Sequence, residues 1–194
     1  MLGHFISVVG IQVDSTKIEV ILMLPIPTKP KEVRSFLGHV GYYRHFIKDF
    51  SKIASPLYTL LTKEAKFIWT PECNEAFLQL KELLTTTPVL KGSDWSLPFH
   101  IHIDALDYVV GIVLGQKPIN IENAIYYISK NLHGPKLNYM ISEKELFPVI
   151  YALNKFRHYV TRYPIFVHTD HLAIRYLMNK LAVTGQLARW LLLL

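Results

Sequence analysis

Residues 99–116, FHIHIDALDYVVGIVLGQ, constrain the fold more than any other stretch of this chain. Phe99, Ile101 and Ile103 alternate with His100, His102 and Asp104, the period-two pattern of a strand with one buried face. Tyr108 to Leu114 is then almost wholly apolar, as in a strand covered on both faces. Strands thus fit 99–104 and 108–116, and also 123–129 (NAIYYIS) and 164–169 (PIFVHT), with a helix over 142–160 between the last two and another over 172–179. Three strands, a crossover helix and a further strand describe an α/β fold, a mixed sheet with flanking helices and at least one parallel pair.

The first half has a different period. Residues 15–85 read mainly as helices, so a helical region precedes the sheet. Thr28 and Pro30 open one helix, whose apolar stripe is Val33, Phe36, Leu37, Val40, Tyr43 and Ile47. Gly38 and Gly41 inside it cost helix stability, so close packing is expected at both. Thr70-Pro71-Glu72 opens a second helix that turns Phe77, Leu80 and Leu84 inward. The turn-rich stretch 88–98, PVLKGSDWSLP, is the expected domain boundary.

Composition narrows the setting. The 194 residues are 51% hydrophobic, too many for a disordered chain, and carry a formal charge of +6, which suits a polyanionic partner as well as an ordinary solvated surface. Cys73 is the single cysteine, which excludes an intrachain disulfide and a cysteine-based zinc site and fits a reducing, intracellular location. VILMLPIP is too short and too proline-broken to span a bilayer, so no membrane role is expected.

Three acids draw attention. Asp104 closes the strand at 99–104, and Asp170 directly follows the strand at 164–169. If those strands are parallel neighbours, both acids lie at one sheet edge, where ligands bind in open α/β sheets. The crossover helix runs antiparallel to the strand it feeds, so its first turn, with Glu143 and Glu145, sits above the same edge. Two like charges ~4 Å apart repel by about 4 kcal/mol at an effective dielectric near 20. Oxygen-ligated divalent cations remove that penalty, magnesium above all beside phosphate, and a pair of them can serve in-line phosphoryl displacement. Each acid also has a plain structural reading: Glu145 in a Ser142–Glu145 capping box, Asp170 as an N-cap, Asp104 as a turn former before Asp107. His100, His102, His168 and His171 raise a zinc hydrolase of the barrel type. That fold needs about 250 residues of repeated βα units, so half-exposed strand histidines are the simpler expectation.

The motifs in order are specific. PIPTKPKEVRSFLGHVGYYRHFIKDFSKIASPL, FIWTPECNEAFLQLKELLTTTPVL, HIDALDYVVGIVLGQ, AIYYISKNL, LNYMISEKELFPVIYALNKFRHYV and VHTDHLAIRYLMNK resemble the reverse transcriptase of gypsy-type LTR retrotransposons, in phrasing close to the plant elements. The resemblance covers essentially the whole chain. It implies the end of a polymerase palm and thumb over 1–62, a connection over 63–97, and an RNase H-like domain over 98–194 that stops short of the family's C-terminus. It also implies hydrolysis of RNA in an RNA–DNA hybrid at two magnesium ions, with Asp104, Glu145 and Asp170 as catalytic metal ligands. The KEL of SEKELF selects Glu145 over Glu143. Lys29, Lys31, Arg34, Arg44, Lys48 and Lys52 on the thumb-like helices are the expected phosphate contacts.

Departures from the family pattern support a second reading. The polymerase motif Tyr-x-Asp-Asp is absent, Met1 stands where the family has Phe, and Leu106 stands where it has Ser. Pro148 interrupts the crossover helix, and the family's fourth acid falls beyond Leu194, with the rest of a retroelement polyprotein. The alternative is therefore a catalytically dead remnant that at most binds nucleic acid.

Overall fold

The computed structural model describes residues 3–62, 66–106, 108–118, 123–132 and 141–169. The chain divides into two compact units, Met1–Gly92 with Tyr126–Ser129, and Ser93–Ile125 with Lys130–Leu194.

The first unit opens with an antiparallel hairpin, β1 (His4–Ser7) and β2 (Gly10–Val13). Ile11 bridges to Leu90, donating to its carbonyl at 2.8 Å and accepting its amide at 3.1 Å. Gly10 makes this approach possible. Its φ is +142°, and a Cβ there would lie 2.3 Å from the Leu90 carbonyl oxygen. Helix α1 (Ser15–Leu22) follows, with the Asp14 carboxylate accepting from the Thr16 amide at 3.0 Å. Its C-terminal end is held by Lys81, whose Nζ donates to the carbonyls of Leu22 (2.8 Å) and Leu24 (2.6 Å).

Helix α2 (Pro30–Tyr42) begins one residue after Thr28-Lys29. The Glu32 carboxylate reaches back to the Thr28 amide at 2.8 Å and hydroxyl at 3.0 Å, so that side chain ties the helix start. The expected stripe is buried throughout, but it spans more than one element. The helix ends at Tyr42, and a 3-10 turn (Arg44–Phe46) carries Phe46 and the following Ile47 into the core. The packing expected at the two glycines is not there. A Cβ at Gly38 would meet nothing within 4 Å, and one at Gly41 would only touch the Phe50 ring at 4.0 Å. Short helices α3 (Phe50–Ile53) and α4 (Ser55–Thr59) lead to α5 (Pro71–Thr85), whose N-cap is Thr70. Phe77, Leu80 and Leu84 are buried as expected, with Phe77 against Phe36 at 4.5 Å between ring centroids.

A sheet ordered β5-β4-β3-β6 comprises β3 (Phe99–Ala105), β4 (Val109–Gln116), β5 (Asn123–Asn131) and β6 (Ile165–His168), of which β3, β4 and β6 belong wholly to the second unit. β3 pairs antiparallel with β4 and parallel with β6, which makes the sheet mixed. Phe99, Ile101 and Ile103 are buried and the alternate residues are not, so the period-two reading of this strand holds. Gln116, buried at the end of β4, holds the segment before β3. Its Nε2 donates to the carbonyls of Asp94 (2.7 Å) and Leu97 (3.0 Å), and its Oε1 accepts from the Asp94 amide (2.9 Å).

The expected single helix over 142–160 is two: α6 (Ile141–Lys155), with Pro148 inside it, and α7 (Arg157–Val160). The break falls at Phe156, where φ −96° and ψ 18° leave the helical region and the ring is buried. The expected helix over 172–179 lies outside the described residues. Among the described residues, no helix is long and apolar enough to cross a membrane.

Candidate metal and nucleic-acid site

Asp104 stands near the C-terminal end of β3, paired in register with Gly111 of β4, and is exposed. The structure separates its readings. The turn into β4 is closed by two main-chain hydrogen bonds, Leu106 donating to Val109 at 2.8 Å and Val109 to Leu106 at 3.4 Å. Asp14 and Asp94, by contrast, spend a carboxylate oxygen on the backbone amides of Thr16 and Ser96. Those bonds to the anion hold both carboxyls below the usual range, led in each case by the bond from the same residue's hydroxyl. Among the described residues no hydrogen bond or ion pair engages the Asp104 side chain.

The other two acids are reached only in part. Because β3 and β6 run parallel, their C-terminal ends share one sheet edge, and Asp170 follows β6 by two residues. Asp170 itself lies outside the described residues, as does His171. Helix α6 opens at Ile141, so Ser142 lies inside its first turn together with Glu143. Glu145 belongs to the same helix, but its side chain lies outside the described part of the structure.

All six candidate phosphate contacts are exposed: Lys29, Lys31, Arg34, Arg44, Lys48 and Lys52. They are not equivalent. Lys29 is paired with Glu32 at 3.2 Å, which partly neutralises it. Lys48 and Lys52 line a cleft of about 430 Å³ whose wall also carries Glu72 and Glu75. Lys31, Arg34 and Arg44 form no ion pair among the described residues and present the least compensated charge.

Three of the four histidines set aside in the sequence as half-exposed strand residues come together. His100 and His102 share a face of β3, and the parallel register sets His102 opposite His168 of β6. The His100 Nδ1 and His168 Nε2 atoms are 2.8 Å apart, and one potential ligand atom from each of the three rings lies within 4.8 Å of the others. The rings of His102 and His168 stack at 4.3 Å, 7° from parallel. The alternation of 99–104 already put two of these histidines on one face, but the β3–β6 register is not written in either strand. A second cleft, about 490 Å³ and lined by Trp95, His158, Thr161, Arg162 and Tyr163, opens near the start of β3. That is the opposite end from Asp104, on the order of 17 Å along the strand.

Comparisons with known proteins cover nearly the whole chain. The family model described as the RNase H-like domain found in reverse transcriptase matches residues 94–194. The chain is 37% identical over 190 residues to the retrovirus-related Pol polyprotein from transposon 297 of Drosophila melanogaster, a match that takes 97% of this chain and 18% of the relative. It is 35% identical over 203 residues to the transposon Tf2-3 polyprotein of Schizosaccharomyces pombe, taking 100% of this chain and 15% of that one. The chain thus spans less than a fifth of these relatives' length. Among solved structures, the foamy viral protease-reverse transcriptase in complex with an RNA/DNA hybrid superposes with a TM-score of 0.80 at 25% identity, over 98% of this chain and 27% of that one. A dRH form of the same protein with double-stranded DNA gives 0.81 at 24% identity, over 98% and 35%, which speaks to the fold.

Proposed function

The chain belongs to the RNase H-like domains found in reverse transcriptases, and from that premise we propose that its second half is a metal-dependent endonuclease acting on the RNA strand of an RNA–DNA hybrid. Residues 98–194 would be the nuclease domain, 1–62 the end of a polymerase palm and thumb, and 63–97 the connection between them. The observation that carries the reading is the Asp104 carboxylate, exposed near the end of β3 with no hydrogen bond or ion pair among the described residues. The parallel β3–β6 pair supports its convergence with Asp170, and the start of α6 supports that of Glu145.

The donor set fits a hard divalent ion. Three carboxylates offer only oxygen, the chemistry magnesium takes beside phosphate. Asp104, Glu145 and Asp170 would hold the ions through their carboxylate oxygens. A bound pair supplies charge stabilisation to the attacking and leaving oxygens of an in-line displacement. Lys31, Arg34 and Arg44, with the partly compensated Lys29, Lys48 and Lys52, would bind the sugar-phosphate backbone. Such contacts read the A-like shape and the 2′-hydroxyls without reading bases. The relative solved with an RNA/DNA hybrid supports that partner.

A gel assay tests the proposal. The purified chain, with magnesium, should shorten the labelled RNA strand of a hybrid and leave double-stranded DNA intact. Chelator and Asp104→Asn should each abolish the product. Cleavage that survives Asp104→Asn would sink the assignment of this site.

A further inference from the structure

We propose that His100, His102 and His168 form a second cation site, one for a divalent transition ion of the zinc class. Nothing in the nuclease reading uses these side chains, and the inference stands whether or not the chain cleaves a hybrid. Two of the histidines are two residues apart on β3 and so share a face, and the third sits across the parallel ladder on β6. All three are half-buried, held on hydrogen-bonded strands, and within reach of solvent. A tetrahedral ion with metal–nitrogen bonds of about 2.0–2.1 Å needs ligand atoms roughly 3.3 Å apart. The observed separations run from 2.8 Å for His100 and His168 up to a limit of 4.8 Å across the group. Small rotations about the side-chain bonds of half-exposed rings close that difference.

The donor type sets the ion. Three imidazole nitrogens favour zinc, nickel or copper, whereas magnesium demands oxygen. Three protein ligands leave a fourth position for water. In the metal-free protein one proton bridges the His100–His168 contact. Metal binding needs both of those nitrogens bare, so the donor ring's proton moves to its other nitrogen or to solvent. The competing account of the same geometry is a stacked, hydrogen-bonded histidine group that takes no ion, and the experiment separates the two.

The full chain, freed of metal, is titrated with zinc chloride by calorimetry. The expected result is one ion per chain at micromolar affinity, undisturbed by millimolar magnesium. His100→Gln, His102→Gln and His168→Gln should each weaken binding tenfold or more, and His39→Gln and His158→Gln should not. Unchanged affinity in the three cluster variants, or displacement by magnesium, overturns the site. Circular dichroism without metal checks that each variant is folded. Should one fail that check, cobalt titration of the unaltered chain decides: visible bands of tetrahedral, nitrogen-ligated cobalt support the site, and their absence refutes it.

Discussion

Replacing Pro148 with alanine should stabilise the second unit. Pro148 lies in the middle of α6, and helical residues continue on both sides of it. The amide it lacks would have reached the Lys144 carbonyl, four residues back, and its ring crowds the same position. Proline inside a helix costs about 3 kcal/mol relative to alanine. The ring is buried, however, beside Leu146, Val149 and Ile150 on the same helix. Alanine removes two of its methylenes from that setting, a loss of about 1.6 kcal/mol at ~0.8 kcal/mol each. The difference is a gain of about 1.4 kcal/mol, or roughly 3–6 °C in melting temperature for a chain of this size. Thermal and urea unfolding followed by circular dichroism reads it. A lower midpoint for Pro148→Ala would mean that packing of the ring outweighs the missing hydrogen bond. The helix would then be adapted to its proline.

Two glycines should respond in opposite directions. Gly38→Ala, with open space at its Cβ in the middle of α2, should add about 1 kcal/mol. Gly10→Ala forces a Cβ into the Leu90 carbonyl at positive φ and should lower the urea midpoint of the first unit, and an unchanged midpoint would refute the close approach. Burial, then the charges of His4 and Arg44, depress the pKa of His45 below its ordinary 6.5. The folded state therefore binds fewer protons there, so its stability is full above pH 6.5 and falls as pH drops through that value. Denaturation midpoints at pH 7.5 and 5.5 should differ less in His45→Gln than in the unaltered chain. Magnesium should raise the melting temperature of the unaltered chain by mass action and leave Asp104→Asn unmoved. Without the ion, loss of so exposed a charge should change stability by less than about 1 kcal/mol. Equal magnesium shifts in both proteins would exclude Asp104 as a ligand.

The first two strands of the sheet were legible because one alternates and the next is almost wholly apolar. The strands expected at 99–104, 108–116, 123–129 and 164–169 form at Phe99–Ala105, Val109–Gln116, Asn123–Asn131 and Ile165–His168. Thr70 and Pro71 marked the start of α5 because a hydroxyl cap and a proline are local devices. What failed was non-local. Gly38 reads in sequence like Gly10, and only the fold reveals that one faces open space and the other a carbonyl. Phe156 continues a helical stripe, yet its ring is buried just where the backbone leaves the helix. Asp104 was legible as a strand-end acid, while the two main-chain hydrogen bonds that close the turn at Leu106–Val109 were not. The histidines could be named as possible ligands from sequence, but which of them meet depends on inter-strand register, which the whole sheet sets.

The bridge between Ile11 and Leu90 ties the second strand of the chain to a residue 79 positions later. A contact of that span makes the first unit a closed loop whose two ends meet. During synthesis the hairpin can form early, but Leu90 emerges only when nearly the whole unit has left the ribosome. The helices between must wait for that closure or fold around an unpaired edge. Phe5, Ile6, Val8 and Val9 are exposed even in the finished fold, so the waiting hairpin is an apolar edge open to other chains. Order of emergence, rather than final stability, is then the period in which this protein is most exposed to aggregation.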